Sequence, residues 1–107
     1  MPIAATPAAP YYAVIFTSIR TARDDGYSAM SEAMAASAAR QPGFLGMETA
    51  REEVGITVSY WASLAAIAAW KVPASHLIAQ QLGLKAWYAA YTTRICRVER
   101  DYDVTAI

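Results

Sequence analysis

Residues 12–20, YAVIFTSIR, decide the fold. At a period of two, Tyr12, Val14, Phe16 and Ser18 share one face, and Ala13, Ile15, Thr17 and Ile19 share the other. Both faces are largely apolar, which predicts a strand inside a sheet rather than at its edge. Downstream, Asp24 and Asp25 supply anions for a helix N-terminus. Tyr27, Met30, Met34, Ser37 and Ala38 then recur at helical spacing until the Gln41-Pro42-Gly43 break. Two extended runs, 44–51 and 54–61, flank Glu52 and Glu53 and read as a hairpin. Ser63 is placed to cap a helix that carries Leu64, Ile67 and Ala68 on one face and ends near Pro73. A second helical piece, 74–82, stops at Gly83. A short segment with Trp87, Tyr88 and Tyr91 leads into TTRICRVER, whose mixed faces suit an outer strand.

The order β-α-β-β-α-β predicts an α+β fold, a ferredoxin-like βαββαβ plan with a four-stranded antiparallel sheet. Helices on one side leave the other sheet face uncovered, and that face is too apolar to stand in water. A second copy packed sheet to sheet, a homodimer, is the economical cover. Residues 1–11, rich in Ala and Pro, read as an N-terminal arm and 12–107 as the domain.

Composition narrows the function classes. The 107 residues are 56% apolar and 17% charged, with 9 basic residues against 9 acidic ones, so no basic excess invites nucleic acid. No apolar run reaches the roughly 18 residues of a membrane span. The opening stretch has no basic n-region and is broken by Pro2, Pro7 and Pro10, so a cytoplasmic location is expected. Cys96 alone forms no intrachain disulfide, and with His76 as the sole histidine no zinc site of ordinary ligand count is expected. Gly43 and Gly46 serve a turn and lack a phosphate-loop pattern.

Few side chains carry chemistry. His76 has the only ordinary pKa near neutrality and is the natural general base. Gln80 neighbours it at i, i+4, opposite the Leu77, Ile78 and Leu82 face. Trp61, Trp70, Trp87 and Tyr91, with Tyr60 and Tyr88, supply aromatic walls for a flat ligand, or simply core packing. Arg94 offers a guanidinium to an enolate or phenolate, or an ion pair to Glu48, Glu99 or a partner chain. Cys96 reads as a small buried apolar residue.

The runs GFLGMETAR, GITVSYWASLAAIAAWK, SHLIAQQLGLKAWYAAY and ICRVER together resemble the antibiotic biosynthesis monooxygenase domain family over roughly residues 12–101. The resemblance implies a dimeric α+β barrel acting as a cofactor-independent monooxygenase on a small aromatic or polycyclic phenol. His76 would be its base, Arg94 or Tyr91 its oxyanion donor, and Trp61, Trp70, Gln80 and Trp87 its substrate contacts. Two branches of that family use a pocket asparagine, and this chain has none. Where the haem-degrading branch places an axial histidine after its tryptophan, this chain has Gln80 after Trp70. The alternatives are a non-catalytic domain that binds a small hydrophobic ligand, and an isomerase or decarboxylase of the same fold.

Overall fold

β1 (Tyr11–Arg20) lies inside the sheet, as two apolar faces require. After it come α1 (Tyr27–Ala39), β2 (Phe44–Arg51), β3 (Gly55–Trp61), α2 (Leu64–Gln80) and β4 (Tyr88–Val98). The strand order is β2-β3-β1-β4 and every neighbouring pair is antiparallel, the ferredoxin-like plan. The computed structural model describes residues 3–80 and 87–104, with backbone alone for 76–80.

Cross-strand register separates the two faces. Phe44, Trp61, Tyr12 and Arg97 form one row, and Met47, Ser59, Val14 and Ile95 another. These rows face the helices, because Val14 and Trp61 close on Ala38 of α1 and Ile67 of α2 to make the core. Burying a side chain the size of Ile67 stabilises the fold by about 1.5–3 kcal/mol. The alternating rows, Gly46-Tyr60-Ala13-Cys96 and Glu48-Val58-Ile15-Arg94, face away from both helices. Ile19 and Ile56, on that same face, are exposed.

Several local expectations change. Asp24 and Asp25 do not enter the first turn of α1, whose cap is Gly26 at φ 79°. The arginines beside them compete successfully: Asp24 pairs with Arg20 and Asp25 with Arg23. Ser63 does cap α2, accepting the Ala66 N–H at 3.0 Å. Pro73, however, does not end α2, which runs on as one helix. The proline forgoes one backbone bond, while Ile67 before it and Ala74 after it are both buried and hold the axis in place. Tyr88 and Tyr91 belong to β4 rather than to a connector. Cys96 is half-buried on the face away from the helices.

The arm is docked. Ala4 N–H donates to Glu48 Oε2 at 2.9 Å, and Ala4 lies against Gly46, where an added Cβ would come within 2.9 Å of its methyl. Thr6 donates to the Tyr11 hydroxyl, which donates to Asp101, and the Tyr60 hydroxyl donates to Glu48 at 2.6 Å. Tyr11 is thereby buried, and one corner of the uncovered face is closed.

Candidate functional site

The helix-facing side of the sheet carries an aromatic band in two clusters. At the β2–β3 end, Trp61 stacks on Trp70 of α2 with ring centres 5.2 Å apart and meets Phe44 edge-on at 5.4 Å. Trp61 is fully buried, and its indole N–H is satisfied by Ser59 Oγ at 2.9 Å. Trp70 differs. Its Nε1 is buried, and among the described residues nothing accepts its hydrogen. An orphan donor of this kind costs about 1–3 kcal/mol, which a ligand or water oxygen would relieve.

The second cluster lies along β1 and β4. Phe16 meets Tyr88 edge-on and Tyr91 at a tilt, each at 5.4 Å, and Tyr88 packs on Tyr27 of α1 at 5.8 Å. The Arg20 guanidinium sits 3.3 Å over the Tyr27 ring. It also donates to the carbonyls of Trp87 and Arg23 and to Asp24. Trp87 is buried, and its indole donates to the Asp25 carbonyl at 2.9 Å while its own carbonyl accepts Thr21 N–H. Burial pushes the Tyr88 phenol well above its ordinary range; its bond to Tyr27 adds to this, and Arg51 and Arg20 oppose it weakly. Tyr88 therefore stays protonated, a hydrogen-bond donor rather than a base.

The residues singled out in the sequence are dispersed. Trp61 and Trp70 come together. Trp87 and Tyr91 join the second cluster, Trp87 as a sealed strut and Tyr91 exposed at its edge. Arg94 joins neither: its register partner is Ile15, on the face away from the helices. Nor does it pair with Glu48, which lies three strands away in the same row, about 14 Å. The side chains of His76 and Gln80 lie outside the described residues, though their backbone continues α2 beyond Trp70. Among the described residues no group of His, Cys, Asp and Glu is arranged to hold a metal, and no helix is long and apolar enough to cross a membrane.

Sequence reasoning passed over Phe16, Ser18, Arg20, Tyr27 and Arg51 as parts of this region. Phe16 and Ser18 carry a signal in the strand alternation, since they share the face of Val14. Arg51 carries none, because its partner lies in a strand 33 residues back.

No family model matches the chain. It is 47% identical over 98 residues to the uncharacterised protein YqjZ of Bacillus subtilis strain 168, covering 90% of this chain and 86% of that one. Among solved structures, protein SO0527 of Shewanella oneidensis is similar at TM-score 0.71 and 9% identity, covering 86% of this chain and 94% of that one. SnoaB of Streptomyces nogalater, a cofactor-independent oxygenase, is similar at TM-score 0.63 and 16% identity, covering 92% of this chain and 100% of SnoaB. At such identities these structures share the fold, and antibiotic-biosynthesis-monooxygenase-type proteins are among those that do.

Proposed function

We propose, from the premise that this chain belongs to the family of Bacillus subtilis YqjZ, that it is a homodimeric, cofactor-independent monooxygenase of a small aromatic or polycyclic phenol. The observation that carries this reading is the buried Trp70 N–H, stacked against Trp61 on the helix side and lacking an acceptor among the described residues. Such a donor stabilises a substrate oxyanion beside flat aromatic walls. The likeness to SnoaB in fold supports the reaction class.

In the chemistry proposed, a base removes a proton from the activated methylene of the substrate. The resulting carbanion, its charge shared with the phenolic oxygen, reacts with dioxygen to give a hydroperoxide. Loss of water then leaves a carbonyl, so the methylene becomes C=O, with one oxygen atom retained and the other leaving as water. His76 is assigned the base, as the one side chain in the sequence that ordinarily titrates near neutrality. It follows Trp70 on the same helix. Trp70 is the candidate donor to the oxyanion. Arg94 lies on the sheet face away from the helices, the face that the proposed second copy would cover.

The absence of any asparagine from the sequence favours a second reading, a non-catalytic domain that binds the same kind of molecule. Oxygen consumption by the purified protein offered anthrone-like and hydroquinone-like compounds separates the two, with a protein-free control for autoxidation. Stoichiometric, protein-dependent uptake that His76→Ala abolishes supports the oxygenase. Saturable binding without uptake supports the binding domain.

A further inference from the structure

Arg97 has the opposite parity to Arg94. It lies on the helix side of the sheet, in the row Phe44-Trp61-Tyr12-Arg97. Tyr12, between Trp61 and Arg97 in that row, packs against the same buried cluster as Trp70. The helix layer stops short of β4. In the next row Val14 is 7% exposed, whereas its β4 partner Ile95 is 49% exposed. In the row after that Phe16 is half-buried and its partner Thr93 is exposed. An open lane therefore runs along the helix-side face of β4 and reaches Tyr12 at the Trp61 end of the sheet.

The polar groups at that end are donors that lack acceptors. Trp70 Nε1 is buried, and among the described residues nothing accepts its hydrogen. The ion pairs among those residues are Arg20–Asp24 and Arg23–Asp25, so the exposed Arg97 guanidinium pairs with no carboxylate there, the nearby Glu99 included. The hydroxyls of Tyr11, Tyr60 and Tyr88 each donate to a named side chain, whereas that of Tyr12 has no partner among the described residues. Glu48 does not compete, because it lies on the other sheet face and accepts from Ala4 and Tyr60. An indole N–H and a guanidinium donate and do not accept, and a phenol can donate as well. Such a set beside the Trp61–Trp70 stack is complementary to a flat ring that carries negatively charged oxygen.

We propose that the Trp61–Trp70 site takes an aromatic anion, with Arg97 on the charged oxygen, Tyr12 beside it and the lane along β4 as the way in. This rests on the reading of that stack as a ligand site, and it makes Arg97 the residue that selects for charge. Isothermal titration of the full chain with 2-naphthoate and with its neutral counterpart 2-naphthamide, at low ionic strength, tests it. Naphthoate is expected to bind, naphthamide roughly tenfold more weakly or worse, and added salt to weaken naphthoate. The indole N–H resonance of Trp70, identified by its loss in Trp70→Phe, should shift as naphthoate is added. Arg97→Gln should abolish the preference for naphthoate, and Arg97→Lys should keep part of it. Arg94→Gln, on the other sheet face, should leave it unchanged. Arg97 is exposed, so far-UV circular dichroism of its variants should match the native chain. Equal binding of naphthamide, no binding of naphthoate, a Trp70 resonance that does not move, or a preference that survives Arg97→Gln would overturn the assignment. A naphthoate preference without oxygen uptake on any phenol would remove the oxygenase reading and keep this one. Oxygen uptake without a naphthoate preference would do the reverse.

Discussion

The Tyr60 hydroxyl tests the arm and the sheet together. Burial pushes its phenol up to about 12, from an ordinary value of 10.0, and the bond to Glu48 adds to the shift. Below pH 10 both folded and unfolded chains hold the proton, and the full contribution of the shift is present. Between pH 10 and 12 the unfolded chain ionises while the folded one does not, so stability falls as pH rises through that window. A shift of about 2 units at 1.36 kcal/mol each sets a ceiling of about 2.7 kcal/mol. Tyr60 is only half-buried, so solvent screening reduces this to roughly 1 kcal/mol. Tyr60→Phe should therefore lose less stability than the native chain between pH 9.5 and 11.5, by roughly 1 kcal/mol. At pH 8 the same variant should be less stable by about 1–2 kcal/mol, because Glu48 keeps only the Ala4 N–H. Urea melts at fixed protein concentration across that pH series measure both effects. Tyr11, held protonated by its bond to Asp101, and the buried Tyr88 act in the same direction in both proteins, so the difference isolates Tyr60. Parallel stability curves for the two proteins would refute the reasoning.

Gly43 sits at φ +87° with an added Cβ 2.6 Å from the Ala66 methyl, so Gly43→Ala combines backbone strain with a collision against α2. A loss of about 2–4 kcal/mol in urea melts is expected, and a loss below about 1 kcal/mol would mean that α2 yields easily. Val58→Glu places a charge at the centre of the sheet face proposed to meet a second copy, beside Ile15. Light scattering should then report a monomer where the native chain is expected to be a dimer, with unchanged far-UV circular dichroism. A variant that stays dimeric would remove that face from the interface.

The fold was legible where residue pattern and environment agree. Residues 12–20 are apolar on both faces and form an interior strand, while β4, with Arg94 on one face and Arg97 on the other, is an edge strand. Patterns were misread where a local irregularity imitates another element. The bulge at Ile19 and Arg20 brings Tyr88 and Tyr91 to one face of β4 although they are three apart, a spacing that breaks strict alternation and so reads as a connector before the strand. Pro73 reads as a helix stop because the sequence shows the missing N–H but not the buried Ile67 and Ala74 that bridge it. The stack of Trp61 on Trp70 was legible as an aromatic concentration. The Arg51 path was not, because it depends on a glycine in the neighbouring strand and a serine two strands away.

Strand parity explains why Arg94 is a poor candidate for the reaction despite its chemistry. In β1, Val14 and Phe16 support the two aromatic clusters on the helix side, while Ile15 between them faces the other way with Val58 and Arg94 beside it. A one-residue step along any strand thus exchanges the helix side for the uncovered side. A guanidinium on the uncovered side cannot reach an oxyanion beside Trp70 without passing through the sheet. Arg51 is on the helix side in register with Gly55 and Ser18, and there a charge does adjoin the aromatic band. The same parity puts Arg94 on the face proposed to meet a second copy and Arg51 on the helix side, where it donates to Ser18. It also predicts that substitutions in the Glu48-Val58-Ile15-Arg94 row alter association before they disturb the Trp61–Trp70 stack on the helix side.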